Sequence, residues 1–276
     1  MNKEDYLDIV SKRLTGFSKK VMIEQINNFY KYNDVILKNH SYKVGDRVFL
    51  KKGTLLHGTY RNIEGLKGIV ENGLVSSWFV NERVSKYPSS VGVWNLKKDY
   101  YLDEYIDFYC GGTAEYLKAD RCSKVTKVIP YSKMSTFMDD FKSFKYFRWK
   151  LEQTKEARFL PSLVQSKVQV GIIFNSDNKG IKQLLKYDIL NGKFTDEELK
   201  DFVEPSFYDC FIKTRKHKDD FFTDRESAIL FGIPACFIEG VIVGRLYEKD
   251  LNMLKKIKDL LPNCYICNLD GKVIVL

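Results

Sequence analysis

Apolar residues in the first part of the chain recur near helical spacing: Tyr6, Ile9, Val10, Leu14, Phe17, Val21, Ile23, Ile26 and Phe29. The spacing predicts helix over 3–38, divided in two at Gly16. Beyond it the pattern shortens. VGDRVFL (44–50) reads as a turn followed by a short strand, and GTLLHGT (53–59) as a strand ending in a polar turn. NIEGLKGIVENGL sets Ile63, Leu66, Ile69 and Val70 on one helix face and stops at Gly73.

SVGVWNL (90–96) is a β-type run. LDEYIDFYCGGTAEYL (102–117) carries Tyr105, Ile106, Tyr109 and Ala114 at helical spacing, interrupted by Gly111 and Gly112. KVTKVIPY (124–131) reads as a strand, 132–160 as basic helix, and VQVGIIFN (168–175) as a strand. Two short helices are expected around Gly192 within 178–203, and ESAILFG, FIEGVIVG and KVIVL give three β-type runs. The mixture is α+β, with most strands in 44–131 and 165–276. It divides into an N-terminal helical segment, 1–43, and a domain over 44–276 with a helical insertion at about 132–210.

With 276 residues and 44% hydrophobic content, the chain can bury a sizeable core. The opening MNKEDYLDIVSKRL is charged and has no apolar signal core, and no run approaches the roughly 18 apolar residues of a membrane span. The expectation is a soluble protein made in the cytoplasm, with no membrane partner. Of six cysteines only Cys264 and Cys267 form a CxxC. With no second pair and no histidine cluster to complete a zinc site, no metal is expected. Two half-buried thiols in the strand NCYIC are the plainer reading, and a redox role is the other.

The net charge of +9 comes in clusters at Lys118–Lys127, Lys142–Lys155 and Lys213–Lys218. Such clusters suit an anionic partner, a nucleic acid or a dinucleotide, and equally suit a lysine-rich solvated surface.

The chain has only three histidines, and one of them, His57, ends an apolar run directly before Gly58 and Thr59. A histidine there is most often a satisfied surface or core residue. The glycine after it permits a close approach of backbone to a ligand, and Thr59 adds a hydroxyl.

LLHGT followed by a helix and GL resembles the first motif of the ADP-ribosyltransferase superfamily, in its His-Tyr-Glu branch with diphtheria toxin and the poly(ADP-ribose) polymerases. The resemblance implies that His57 holds a ribose hydroxyl of NAD+ and that the Gly58 backbone holds the nicotinamide amide, with Thr59 beside them. The second motif of that branch, Gly-x-aromatic with a further aromatic about eleven residues on, is similar to Gly92-Val93-Trp94 and Tyr105. Trp94 replaces the usual Tyr. It keeps a ring for stacking and loses the phenol hydroxyl; an aromatic in an apolar strand is as readily core. Tyr100, Tyr101 or Tyr109 can stand in for Tyr105 under a shifted register.

The third motif, a glutamate opening a late strand, resembles Glu226 in RESAILFGIP, and makes Glu226 the catalytic candidate. Glu239 is its rival, which a salt bridge or turn at a strand start would explain. The Arg-Ser-Glu branch fits less well, because Asp224-Arg225-Glu226 stands where it has Glu-x-Glu or Gln-x-Glu. The fold implied is an ADP-ribosyltransferase-like split mixed β-sheet.

The activity implied is NAD+-dependent mono-ADP-ribosyl transfer to a macromolecular acceptor, as in a toxin, an effector or a defence enzyme, with delivery into another cell as one setting. Glu226 and His57 would be catalytic, with His57, Gly58, Thr59, Trp94 and Tyr105 holding NAD+. The basic, aromatic stretch before Glu226, with Arg215, Lys216, His217, Phe221 and Phe222, would meet the acceptor. Basic side chains beside aromatics suit a nucleic acid, while the charge fits an acidic protein equally, and a solvated loop with two core phenylalanines is the plainer account. Two other readings stand beside transfer: an NAD+ glycohydrolase that passes ADP-ribose to water, and a non-catalytic basic module that binds nucleic acid on the same scaffold.

Overall fold

A computed structural model of the chain describes residues 1–32, 40–59, 62–80, 86–104, 170–177, 179–205, 226–244 and 247–276. The two helices expected from the opening pattern are present as α1 (Lys3–Arg13) and α2 (Gly16–Lys31). Asn2 caps α1 reciprocally with Asp5: the Asp5 N–H donates to Asn2 Oδ1 at 2.9 Å, and the Asn2 N–H donates to Asp5 Oδ2 at 2.8 Å. The break before α2 falls at Leu14 and Thr15, and Gly16 takes a φ of +56°. One face of α2 is buried through Val21, Met22, Gln25, Ile26 and Phe29.

Then come β1 (Phe49–Leu50), β2 (Leu55–Thr59), α3 (Asn62–Asn72), β3 (Leu74–Val75), β4 (Ser90–Asn95), β5 (Tyr100–Tyr101) and β6 (Val170–Phe174). The helix α3 ends at Gly73, whose φ is +78° and whose N–H bonds to the Ile69 carbonyl at 2.8 Å. A side chain at Gly73 would also run into the Phe29 ring and the Ile233 carbonyl. Further on lie α4 (Lys179–Leu184), α5 (Asp196–Leu199), β7 (Glu226–Leu230), β8 (Gly232–Ile233), β9 (Ile238–Val243), α6 (Leu251–Leu260), β10 (Tyr265–Asn268) and β11 (Val273–Val275).

The fold is α+β, built on a seven-stranded mixed sheet in the order β11-β10-β9-β6-β2-β4-β7. Only β9 and β10 pair in parallel; every other ladder of this sheet is antiparallel. Strand β6 is buried at all five positions, as its unbroken apolar sequence requires for a central strand. It lies between β2 and β9, so the region read as a helical insertion at about 132–210 contributes a central strand of the main sheet.

Alternation divides the sheet into two faces. Leu55, Val93, Ile172, Phe174, Val241 and Ile266 join one continuous core with Tyr6, Val10, Met22 and Ile26 of the N-terminal helices, Leu66 of α3, and Leu254 and Ile257 of α6. Leu56, Trp94, Ile173, Ile242 and Cys267 are also buried but stand outside that core. At the β10 end, Tyr42 and His40 lie edge-on to Tyr265, with ring centroids 4.9 and 5.2 Å away. No described helix is long and apolar enough to cross a membrane.

The strand expected at 124–131 and the helix at 132–160 lie outside the described residues, as does most of the helix expected at 102–117. Cys264 and Cys267, expected half-buried, are instead 5% and 0% exposed, because β10 is interior, flanked by β9 and β11. Their thiols donate to the carbonyls of Ile238 and Val241 at 3.1 and 3.5 Å.

Candidate functional site

The ladder between β2 and β4 is short. It pairs Leu55 with Asn95 and Leu56 with Trp94, and then stops. On its other side β2 continues to pair with β6 through His57, Gly58 and Thr59. The sheet therefore opens into a seam at His57, between β2 and β4. Beyond the seam β4 stays bound to β7 along its whole length, from Ser90 opposite Leu230 to Trp94 opposite Glu226.

His57 lies at the point where the ladder ends. Its Nδ1 is 3.1 Å from the carbonyl oxygen of Gly92 on β4. A carbonyl oxygen only accepts, so Nδ1 carries a proton. The imidazole thus bridges the two strands at the position where backbone pairing ceases.

Side chains are scarce beside the seam. Gly58 faces Gly171 across the β2–β6 ladder, and Gly92 faces Ala228 across the β4–β7 ladder. These four positions share the alternation of the adjacent row, which runs Tyr265, Gly240, Ile173, Leu56, Trp94 and residue 226 across six strands. Three glycines and one alanine leave a floor of mostly bare backbone next to the row that holds Trp94 and Glu226. Gly171 and Gly92 complete this floor; the only sequence signal for Gly171 is a glycine inside an apolar strand.

Thr59 is buried beside the β6 strand, opposite Val170. Trp94 is 5% exposed, so its ring is a packed wall with little surface open to a ligand. His57 has the alternation of Leu55 and Val93, opposite to that of Trp94. A ligand touching both would straddle the open strand edges at the seam. Next to Trp94, the Asn95 amide donates to the Ser227 hydroxyl at 3.0 Å, which ties β4 to β7 beside Glu226.

Tyr100 and Tyr101 belong to a separate two-stranded ladder with Leu50 and Phe49. The Tyr101 ring packs on Phe49 at 5.3 Å and lies 3.9 Å from the Arg47 guanidinium carbon. Tyr105, Tyr109, Arg215, Lys216, His217, Phe221 and Phe222 lie outside the described residues.

Glu239, the rival carboxylate, stands apart from the seam. No ion pair holds it among the described residues. Its Oε2 accepts from Asn175 Nδ2 at 2.7 Å instead, and it borders a cavity at the other end of the sheet. Among the described residues no group of His, Cys, Asp and Glu is placed to hold a metal ion.

No family model, curated protein or solved structure matches this chain.

Proposed function

We propose that this chain is an NAD+-dependent mono-ADP-ribosyltransferase, built on a split sheet of the ADP-ribosyltransferase type. One observation supports it most: β2 and β4 stop pairing at His57, one step beyond the row that carries Trp94 and residue 226.

In this reading nicotinamide lies against the backbone at Gly58 and its amide is held by main-chain groups. His57 donates through Nδ1 to Gly92. Its Nε2 lone pair accepts a hydrogen bond from a ribose hydroxyl. Trp94 and Tyr105 wall the nicotinamide. Breaking the glycosidic bond releases neutral nicotinamide and leaves oxocarbenium character on the ribose. The Glu226 carboxylate stabilises that charge and orients the 2′-hydroxyl. The acceptor's nucleophile then bonds to the ribose carbon and gives up its proton to solvent water. Most of the catalysis is positioning, with no covalent enzyme intermediate. The stretch with Arg215, Lys216, His217, Phe221 and Phe222 receives the acceptor, a protein or a nucleic acid.

The test is incubation of the protein with radiolabelled NAD+ and cell lysate, followed by separate protease and nuclease digestion. Label that stays with macromolecules supports transfer, and the digestion that releases it names the acceptor class. Rapid nicotinamide release with NAD+ alone would assign a glycohydrolase. Neither transfer nor release, with salt-sensitive nucleic-acid binding, would assign the non-catalytic module.

A further inference from the structure

A cavity of about 520 Å³ lies at the end of the sheet away from the seam. It is bordered by His40, Tyr42, Asn175, Asp177, Glu239 and Tyr265. Among the described residues just three side-chain polar atoms are sealed from solvent without a hydrogen-bond partner, and two of them, His40 Nδ1 and Tyr265 Oη, belong to residues lining this cavity. Buried polar groups are nearly always paired, so two orphans at one cavity indicate a missing partner.

The sequence builds the place deliberately. Tyr265 is 1% exposed and lies across Gly240, where a Cβ would come within 2.5 Å of its ring. Asn175 is fixed at three points: its N–H donates to the Phe237 carbonyl at 2.9 Å, its Oδ1 accepts from the Asp177 N–H at 2.8 Å, and its Nδ2 donates to Glu239 at 2.7 Å. The Tyr265 hydroxyl lies beside the Glu239 carboxyl without an aligned hydrogen bond between them.

The chemistry of the lining selects the ligand. Glu239, Tyr265 Oη and neutral His40 can all accept a hydrogen bond. Burial and the nearby Lys258 ammonium hold the His40 ring toward its neutral form. Lys258 itself donates to the Pro262 and Cys264 carbonyls at 2.7 and 2.9 Å. The lining cation Lys51 is committed to Asp177 at 2.8 Å. That leaves the Glu239 carboxylate without an ion pair among the described residues, beside the rings of Tyr42 and Tyr265. Carboxylate, aromatic walls and several acceptors together suit a positive group with multiple N–H donors.

We propose that this cavity binds a small organic cation, a guanidinium or primary ammonium, through Glu239, Tyr265 and His40. This site is separate from the NAD+ reading and is assayed without NAD+, so either can fail alone. The test is titration of the full chain with butylguanidinium and with its neutral isostere butylurea, followed by calorimetry and by NMR of the tyrosine and histidine rings. The cation is expected to saturate one site and shift the His40 and Tyr265 signals, with butylurea weaker by about tenfold or more. Glu239→Gln is expected to weaken the cation by about tenfold, and Tyr265→Phe to weaken it measurably while keeping the ring. Equal binding of both compounds, unchanged binding in Glu239→Gln and Tyr265→Phe, or no saturable binding below about 10 mM would overturn the proposal.

Discussion

His57 Nδ1 stands 3.1 Å from the carbonyl oxygen of Gly92, across the gap where β2 and β4 stop pairing. The bond does two things at once. It closes the seam with a side chain where backbone pairing has ended, and it places a proton on Nδ1, which in the proposed reading leaves Nε2 to the ribose.

These two roles separate by substitution. In His57→Asn an amide N–H can still reach the Gly92 carbonyl, but nothing replaces Nε2. His57→Ala loses both. The expected outcome is that His57→Asn melts close to the parent while its NAD+ affinity falls by about tenfold, and that His57→Ala loses the same affinity and about 1 kcal/mol of stability. Thermal unfolding and NAD+ titration on the three proteins check this. Equal NAD+ affinity in all three would remove His57 from the site.

Trp94 is packed at 5% exposure, so its wall and core roles need separating. Trp94→Ala is expected to cost about 3–5 kcal/mol from the cavity it leaves. Trp94→Phe keeps an aromatic face and most of the volume. If the ring stacks on nicotinamide, Trp94→Phe folds and turns over NAD+ with a raised KM. If the ring is core alone, KM stays unchanged in the folded variant, as steady-state kinetics would show.

The Glu239 carboxyl is held above its ordinary value of 4.5, chiefly by burial, while the Asn175 hydrogen bond pulls it down; Asp177 raises it, and the Tyr265 hydroxyl and Lys51 lower it. A raised carboxyl pKa means that the folded state holds its proton to higher pH than the unfolded chain. Folding stability from this group is therefore present below pH 4.5 and is lost as pH rises from there through the folded pKa. Glu239→Gln removes that loss. Relative to the parent, its stability is expected to be level in acid and to improve toward neutral pH. Urea unfolding at a series of pH values measures the difference, and a Gln variant that becomes relatively less stable toward neutral pH contradicts the assignment.

The CxxC thiols are buried in the folded protein. Burial pushes Cys264 up to about 12 and Cys267 higher still. Thiolate is the reactive form, so neither should react with a maleimide at neutral pH before unfolding. The half-buried Cys236 is expected to label faster. Peptide mapping after timed labelling distinguishes the three, and prompt modification of Cys267 would overturn its placement inside β10.

Local elements were legible because their causes are local. The apolar spacing of α1 and α2, the glycine stop after α3, and the unbroken run in β6 all act within a few residues. The helix α6 was missed, although its buried Leu254 and Ile257 lie on one face. Sheet order was not legible. Strand β6 pairs with β2 and β9, partners remote in sequence, and no local signal encodes that choice. The candidate site divides the same way. His57 and Gly58 stand out within one motif, whereas the facing of Gly58 by Gly171, and the seam itself, exist only once long-range pairing is formed. The cavity beside Glu239 was hidden for a further reason: a glutamate at a strand start is usually explained by a salt bridge, and here Asn175 takes that place.

Glu226 pairs with Trp94 on the β4–β7 ladder, and the proposed chemistry depends on its carboxylate. Glu226→Gln keeps shape and volume and removes the charge that would stabilise the oxocarbenium-like ribose. The most direct measurement is transfer of label from NAD+ by the parent and by Glu226→Gln, alongside NAD+ binding by both. The account expects transfer to fall by about 10²–10³-fold in the variant with NAD+ affinity nearly unchanged. Transfer at the parent's rate in Glu226→Gln would contradict it.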